Sequence, residues 1–177
     1  DNGRSRGLGD VYKRQLLVDI DTGWGGAFNI SRTIRELSRA GVAAVHIEDQ
    51  VGQKRCGHRP NKEMVSTQEM VDRIKACIDA REEKDFFIMA RTDAFAKEGM
   101  SASIDRSHAY IEAGADGIFA EAMTDINHYK EFKNSLKVPI LANMTEFGKT
   151  PLSNIKELAS VGCLLYTSPS PRDRPLS

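Results

Sequence analysis

The chain alternates two hydrophobic rhythms. Short apolar runs recur at residues 16–21 (LLVDID), 42–49 (VAAVHIED), 86–92 (FFIMART), 117–122 (GIFAEA) and 138–145 (VPILANMT). Each reads as a strand. Pro139 falls near the start of the fifth run, where a missing N–H does least harm. Between the runs the period changes. Residues 29–40 put Ile30, Ile34 and Leu37 on one helical face, with Gly41 fitting a C-cap. Thr67 is expected to cap a helix whose apolar face is Met70, Val71, Ile74, Cys77 and Ile78. Residues 101–113 pair Ile104 with Ile111 just before Gly114, and residues 125–134 and 152–160 complete the helical segments. Residues 50–66 are polar, with Gly, Pro and basic side chains, and read as one long loop.

Five consecutive βα units with almost continuously apolar strands imply a buried parallel sheet. A (β/α)8 TIM-type barrel needs about 250 residues, and the chain has 177. The expected fold is therefore α/β, a partial barrel of about five βα units out of eight. The competing architecture is a complete, doubly wound open sheet. Its dinucleotide fingerprint GxGxxG is absent, because Gly23-Trp24-Gly25-Gly26 has the wrong spacing.

The two ends do not share these rhythms. Residues 1–15 (DNGRSRGLGDVYKRQ) and 163–177 (CLLYTSPSPRDRPLS) lack hydrophobic periodicity. Residues 5–15 and 163–173 back-translate to reverse-complementary DNA that resembles a transposase library adaptor used in sequencing. Such segments are excluded from fold reasoning. The organisation expected is a non-native tail over 1–15, a partial barrel domain over 16–162, and a second non-native tail over 163–177.

Composition adds only exclusions. Twenty-five basic residues balance twenty-five acidic ones, so the charge points neither to nucleic acid nor to a membrane surface. No apolar run approaches the roughly 18 residues of a spanning helix. Three scattered cysteines make neither a disulfide framework nor a CxxC zinc site, and a reducing cytoplasm is the expected compartment.

The chemistry gathers at the C-terminal ends of the strands: Asp19 and Asp21, then Glu48 and Asp49, Arg91 and Asp93, Glu121, and finally Asn143 and Thr145. In a parallel barrel those ends share one mouth, where active sites lie. Taken singly, each is as readily a loop cap or a solvated charge. Asp19-x-Asp21 sets two carboxylates on one side of a strand, and paired hard oxygens suit Mg²⁺. Lys54-Arg55-Cys56-Gly57-His58-Arg59 places a cysteine among cations, which favours its thiolate form. Such a thiol is suited to proton transfer, and Gly57 on a long loop suits a lid. Arg91 suits bidentate recognition of a carboxylate, or an ion pair with Glu121. His46, inside a strand, reads as a core histidine, Cys77 as core, and His108 and His128 as surface positions on helices.

Four segments carry a family resemblance: LLVDIDTGWGGAFNISRT, HIEDQVGQKRCGHRPNKEMVS, IMARTDA and PILANMTEFGKTPL. They resemble the methylisocitrate lyases, of the isocitrate lyase and phosphoenolpyruvate mutase superfamily, across essentially all of residues 16–162. The KRCGH run resembles the cysteine loop of the lyases in particular. The resemblance implies cleavage of 2-methylisocitrate to pyruvate and succinate, as in propionate catabolism by the methylcitrate cycle. Mg²⁺ would be held by Asp19 and Asp21 and would grip the part that becomes pyruvate. Cys56 would protonate the succinate half, with Lys54, Arg55 and His58 biasing its loop. Gly57, Arg91, Asn143, Met144 and Thr145 would contact a tricarboxylate substrate, and Glu121 would support the metal-bound end. The base that takes the hydroxyl proton is not assigned by these residues. The resemblance also implies a homotetrameric parent, cytoplasmic, or mitochondrial in a eukaryote. An isocitrate lyase or an oxaloacetate decarboxylase-like member of the superfamily is the alternative, and a catalytically silent scaffold is a third reading. The family's first two strands and everything after the fifth strand have no counterpart here. The chain alone is therefore expected to be insoluble or molten, and without lyase activity.

Overall fold

In the computed structural model, which describes residues 15–145 and 148–167, six strands and five helices alternate along the chain. The strands are β1 (Leu17–Asp19), β2 (Ala44–Glu48), β3 (Phe87–Thr92), β4 (Gly117–Ala120), β5 (Ile140–Asn143) and β6 (Leu165–Thr167). The helices are α1 (Ala27–Arg39), α2 (Thr67–Ala80), α3 (Phe95–Glu112), α4 (Ile126–Ser135) and α5 (Ile155–Ser160). All adjacent strands pair in parallel, in the order β1-β2-β3-β4-β5-β6. That order decides between the two architectures. Right-handed crossovers that always advance in one direction place every helix on the same face of the sheet. A doubly wound sheet needs a reversal of strand order, and there is none among the described strands. The sheet is an arc of a barrel.

The hydrophobic core divides accordingly. Between sheet and helices lie Val45, Ile47, Ile88, Ala90, Ile118, Ile140 and Ala142 from the strands, packed with Ile30, Ile34, Met70, Ile74, Tyr110, Tyr129 and Phe132 from the helices. On the concave face a smaller cluster forms from Met89, Phe119 and Leu141, flanked by Leu17 and Phe87. Alternation along each strand makes the division, since successive side chains point to opposite faces.

Local signals set most element ends. Ser66, not Thr67, caps α2: its side chain accepts from the Glu69 N–H at 3.1 Å. The cap thus stands one residue earlier than expected, because Thr67 already has helical backbone. Helix α3 begins at Phe95 and is interrupted at Gly99 (φ +81°), so the segment expected from residue 101 is only its second part. Asn154 and Glu157 form a reciprocal capping box that starts α5.

The sixth strand was not anticipated. Leu165–Thr167 falls in the stretch set aside as a non-native tail, yet it pairs with β5 from Leu141↔Leu165 to Asn143↔Thr167. All three of its residues are exposed. The physical reason is backbone supply and demand: an open β5 edge offers unpaired N–H and C=O groups, and Leu-Tyr-Thr favours extended structure. Residues 1–14 and 168–177, the remainder of the two expected tails apart from Gln15, Cys163 and Leu164, lie outside the described residues. No helix among the described residues is long and apolar enough to cross a membrane.

Candidate active site

The concave face changes character from one end of the strands to the other. At the N-terminal end Leu17, Ala44, Phe87 and Met89 line an apolar hollow of about 640 Å³. At the C-terminal end the same face carries Asp19, Glu48, Arg91, Glu121 and Asn143. The ladder enforces this grouping: Asp19 is level with His46, Glu48 with Arg91, and Arg91 with Phe119. Five strand ends thus deliver a charged mouth above an apolar floor, as their alternation dictates.

One side of the mouth is a carboxylate cluster around a cation. The Lys54 ammonium pairs closely with Asp21 and lies 3.8 Å from Asp19 Oδ2 and 3.5 Å from Glu48 Oε2. The Asp21 N–H donates to Asp19 Oδ1 at 2.8 Å, and Trp24 Nε1 donates to Asp21 Oδ2 at 2.9 Å. Lys54 holds the Asp21 carboxyl below its ordinary value. Glu48 is fully buried, and its Oε1 has no hydrogen-bond partner. Burial pushes its carboxyl up to about 7, against the pull of Arg91 and Lys54. Beside it, His46 meets the Phe119 ring edge-on at 5.1 Å. Burial pushes that imidazole down to about 4, so it is neutral at pH 7. Among the described residues no group of three or more His, Cys, Asp or Glu converges as a metal cage. The donor set nonetheless fits a hard divalent cation: Asp19, Asp21 and Glu48 already surround one positive charge, and a buried carboxylate oxygen among them lacks a partner.

The other side is built on Arg91. Its guanidinium is buried, lies 4.9 Å above the Phe119 ring, and donates from Nε to Asp93 Oδ2 at 2.9 Å. Glu48 Oε2 is 3.4 Å from Nε, and Glu121 Oε1 is 3.9 Å from Nη2. Burial alone would lower the Arg91 pKa, but Asp93, Glu121 and Glu48 together hold it above its ordinary value. Asn143 Nδ2 donates to Glu121 Oε2 at 3.2 Å. Across from them His58 Nε2 stands 3.1 Å from Glu121 Oε1, while its Nδ1 accepts the Lys149 N–H at 3.0 Å. An accepting Nδ1 puts the proton of a neutral ring on Nε2, toward Glu121.

The loop between β2 and α2 covers this mouth. Gly57 is buried against Glu121 and Arg91; a Cβ there would collide with the Glu121 side chain and lie 2.6 Å from Arg91 Nη2. Only a glycine lets the backbone come this close. Cys56, next to it, is exposed. The buried Gln50 side chain clamps the preceding residue, donating to Arg55 O and accepting from Arg55 N, both at 2.9 Å. Gln50→Ala removes about 1–3 kcal/mol of local loop stability. The Arg55 amide is expected to exchange about tenfold to a hundredfold faster by mass spectrometry, with α2 unaffected. An unchanged rate means that the loop is held elsewhere.

Most of the sequence candidates converge here: Asp19, Asp21, Lys54, Gly57, His58, Arg91, Glu121 and Asn143 share the mouth, with Cys56 on the loop above. Thr145, at the end of β5, lies close to Gly148, where His58 also packs. Two candidates do not join them. Met144 is buried between sheet and helices, where its Sδ accepts from the Ser153 N–H at 3.3 Å. Alternation is the reason: Leu141 and Asn143 face inward, so Met144 faces outward with Ala142. Arg55 contributes its backbone, while its exposed side chain lines a separate surface hollow with Gln53 and Glu63. Glu48 and Asp93 were noted only as strand-end acids, and the inward register of Glu48 beside His46 was the signal for a larger role. Gln50 and Lys62 carried no local signal.

Comparisons with known proteins agree with the fold. Residues 5–165 match the phosphoenolpyruvate phosphomutase family. The chain is 66% identical over 154 residues to a 2-methylisocitrate lyase of Shewanella oneidensis, covering 87% of this chain and 53% of that protein. It is 57% identical over 164 residues to a 2-methylisocitrate lyase of Salmonella typhimurium, covering 91% and 56%. Among solved structures, 2,3-dimethylmalate lyase, a member of the PEP mutase/isocitrate lyase superfamily, superposes with a TM-score of 0.86 at 37% identity, covering 94% of this chain and 56% of that one. Oxaloacetate acetylhydrolase follows with a TM-score of 0.83 at 34% identity, covering 87% and 53%. The chain spans about half the length of the curated relatives it matches.

Proposed function

Because the chain belongs to the phosphoenolpyruvate phosphomutase family, we propose that the full-length protein is a Mg²⁺-dependent carbon–carbon lyase that cleaves 2-methylisocitrate to pyruvate and succinate. The observation that carries this reading is the Lys54–His58 loop, whose glycine packs onto Arg91 and Glu121 while its lysine sits among three carboxylates. The loop bearing the thiol thus touches both sides of the mouth.

Asp19, Asp21 and Glu48 would hold the divalent cation, and Lys54 would balance the charge of the same carboxylates. Bound there, the cation supplies Lewis-acid polarisation of the substrate's hydroxyl and carboxylate oxygens. Arg91 supplies a buried, permanently charged fork for a carboxylate of the departing half. Asn143 orients Glu121 by donating to Oε2, and His58 Nε2 stands 3.1 Å from the other oxygen of that carboxylate. Cys56 Sγ gives its proton to the carbon left by the broken bond. Gly57 lets the loop come down far enough to exclude water from that carbon.

The test is product analysis on the purified full-length protein. Pyruvate and succinate in equal amounts support the reading; glyoxylate instead of pyruvate from isocitrate, or CO2 from oxaloacetate, assigns another superfamily activity. Chelation by EDTA is expected to abolish turnover and excess Mg²⁺ to restore it. Asp21→Asn should raise the half-saturating Mg²⁺ concentration at least about tenfold, because it removes one charged hard ligand. Turnover that is indifferent to EDTA removes the metal from the scheme.

A further inference from the structure

Lys62 lies at the far end of the same loop, six residues beyond Cys56, and its side chain is only 3% exposed. Its ammonium donates to Asp93 Oδ1 at 2.9 Å. Asp93 is itself fully buried and accepts from Arg91 Nε through its other oxygen, Oδ2, at 2.9 Å; Arg91 Nη2 also donates to Oδ1, over a longer 3.4 Å. One buried carboxylate is therefore divided between a loop lysine and the arginine of the mouth. The carboxylate cannot move freely. The Asp93 N–H donates to Asp49 Oδ1 at 2.9 Å, and Asp49 Oδ2 accepts from Thr92 Oγ1 at 2.8 Å and Tyr110 Oη at 2.9 Å. The loop end is fixed as well: the Val65 N–H donates to Asp49 O at 2.9 Å, and Val65 O accepts from Arg106 at 3.0 Å.

Buried lysines are rare unless paired, and among the described residues the Lys62 ammonium pairs with Asp93 alone. It acts on Asp93. Without Lys62, Asp93 Oδ1 has one partner left within reach, the Arg91 Nη2 at 3.4 Å. The long arm of the existing two-point pair would then shorten, turning the guanidinium inward and neutralising more of its charge. With Lys62 present, Oδ1 is drawn to the ammonium at 2.9 Å, the bond from Nη2 stays long at 3.4 Å, and Nη2 lies 3.9 Å from Glu121 Oε1.

We infer that Lys62 is a positioning residue for Arg91, acting through the shared Asp93 carboxylate to keep the guanidinium available to a carboxylate of the substrate. The inference rests on the proposed lyase reading, since that reading makes Arg91 a carboxylate receptor.

The test uses the full-length protein with succinate as the probe, its binding measured by calorimetry in the presence of Mg²⁺. Lys62→Met is expected to weaken succinate at least about tenfold, the size of one charge-assisted hydrogen bond, and to leave Mg²⁺ affinity unchanged. In an Asp93→Asn background the same substitution is expected to have almost no further effect, because no carboxylate remains to be released. The double variant Lys62→Met/Asp93→Asn restores charge balance around Arg91 and keeps the cycle measurable where Asp93→Asn alone folds poorly; the double variant then should bind succinate more tightly than Lys62→Met alone. Equal losses in both backgrounds, parallel losses of Mg²⁺ and succinate, or unchanged succinate binding in Lys62→Met overturn the role of Lys62. A wild-type protein that binds succinate and releases pyruvate, with Lys62→Met unaffected, overturns this inference alone. A wild-type protein that does neither overturns the lyase reading and this inference with it.

Discussion

Cys56→Ser in the full-length protein is expected to lower kcat for pyruvate release by about 10²–10⁴-fold, the usual worth of a positioned general acid, and to leave KM nearly unchanged. Serine matches cysteine in size and keeps the backbone of the loop. Its hydroxyl is a much poorer proton donor to carbon than a thiol, so the step that suffers is protonation after the bond has broken. Binding is spared, because the groups suited to holding carboxylates and cation are elsewhere: Arg91, Asn143 and the Asp19–Asp21–Glu48 cluster. Cys56 is exposed on its loop, so the change opens no cavity. Cys77 is the contrasting thiol. It is buried on α2, and burial pushes it up to about 12, so it remains an inert core group. Alkylation of the native protein should therefore modify Cys56 first and abolish activity in step. Full activity in Cys56→Ser would remove the thiol from the proton-transfer step, and absence of turnover in both proteins would favour the scaffold reading.

Asp93→Ala is expected to cost about 3–5 kcal/mol of unfolding free energy at pH 7, the range for breaking a buried ion pair from one side. The large value follows from what remains. Lys62 and Arg91 are both buried, and both rely on this carboxylate. Removing it leaves Lys62 buried without its partner and Arg91 with only Glu48 and Glu121 near it. The loss should shrink when Lys62→Met is added, since one uncompensated charge is then gone. Urea denaturation of the three proteins measures both effects, and a loss below about 1 kcal/mol for Asp93→Ala would remove the buried triad from the account.

The pH dependence of that pair has a definite sign. Burial by itself would raise the Asp93 carboxyl; Arg91 and Lys62 outweigh it and hold the group below its ordinary value. A depressed folded-state pKa means the stabilisation is complete above the unfolded value of about 4. It is lost as pH falls through the lower folded value. The gap between wild type and Asp93→Ala is thus expected to be widest near neutrality and to narrow below about pH 4.

How much of this was legible beforehand varies by element. The helix over Asn29–Ala40 was readable because Ile30 and Ile34 recur at helical spacing, and both are buried in α1. Strand β3 was readable as FFIMART, and its last residues sit at the mouth. The sixth strand was not, because Leu165–Thr167 has no hydrophobic pattern of its own and is ordered only by the β5 edge beside it. Met144, a substrate contact only by family resemblance, faces away from the mouth because alternate residues of a strand point to opposite faces. Arg55 belongs to the same motif as Cys56, yet it is its backbone that Gln50 holds, while its side chain is exposed.

The sequence alone determined the alternation of strands and helices, the recurrence of polar residues at strand ends, and the loop chemistry of Lys54–His58. These are properties of short stretches, set by side-chain period and local composition. Only the tertiary structure decided that the strands follow one another in a single sense around an arc. It alone revealed Glu48 as a carboxylate of the cation cluster and Gln50 as the clamp on Arg55. It alone joined Lys62 to Arg91 through Asp93, which stands 31 positions further along the chain than Lys62. The physical reason is that such pairs draw their strength from burial, and burial belongs to the packed sheet and loop together, not to any segment of the chain.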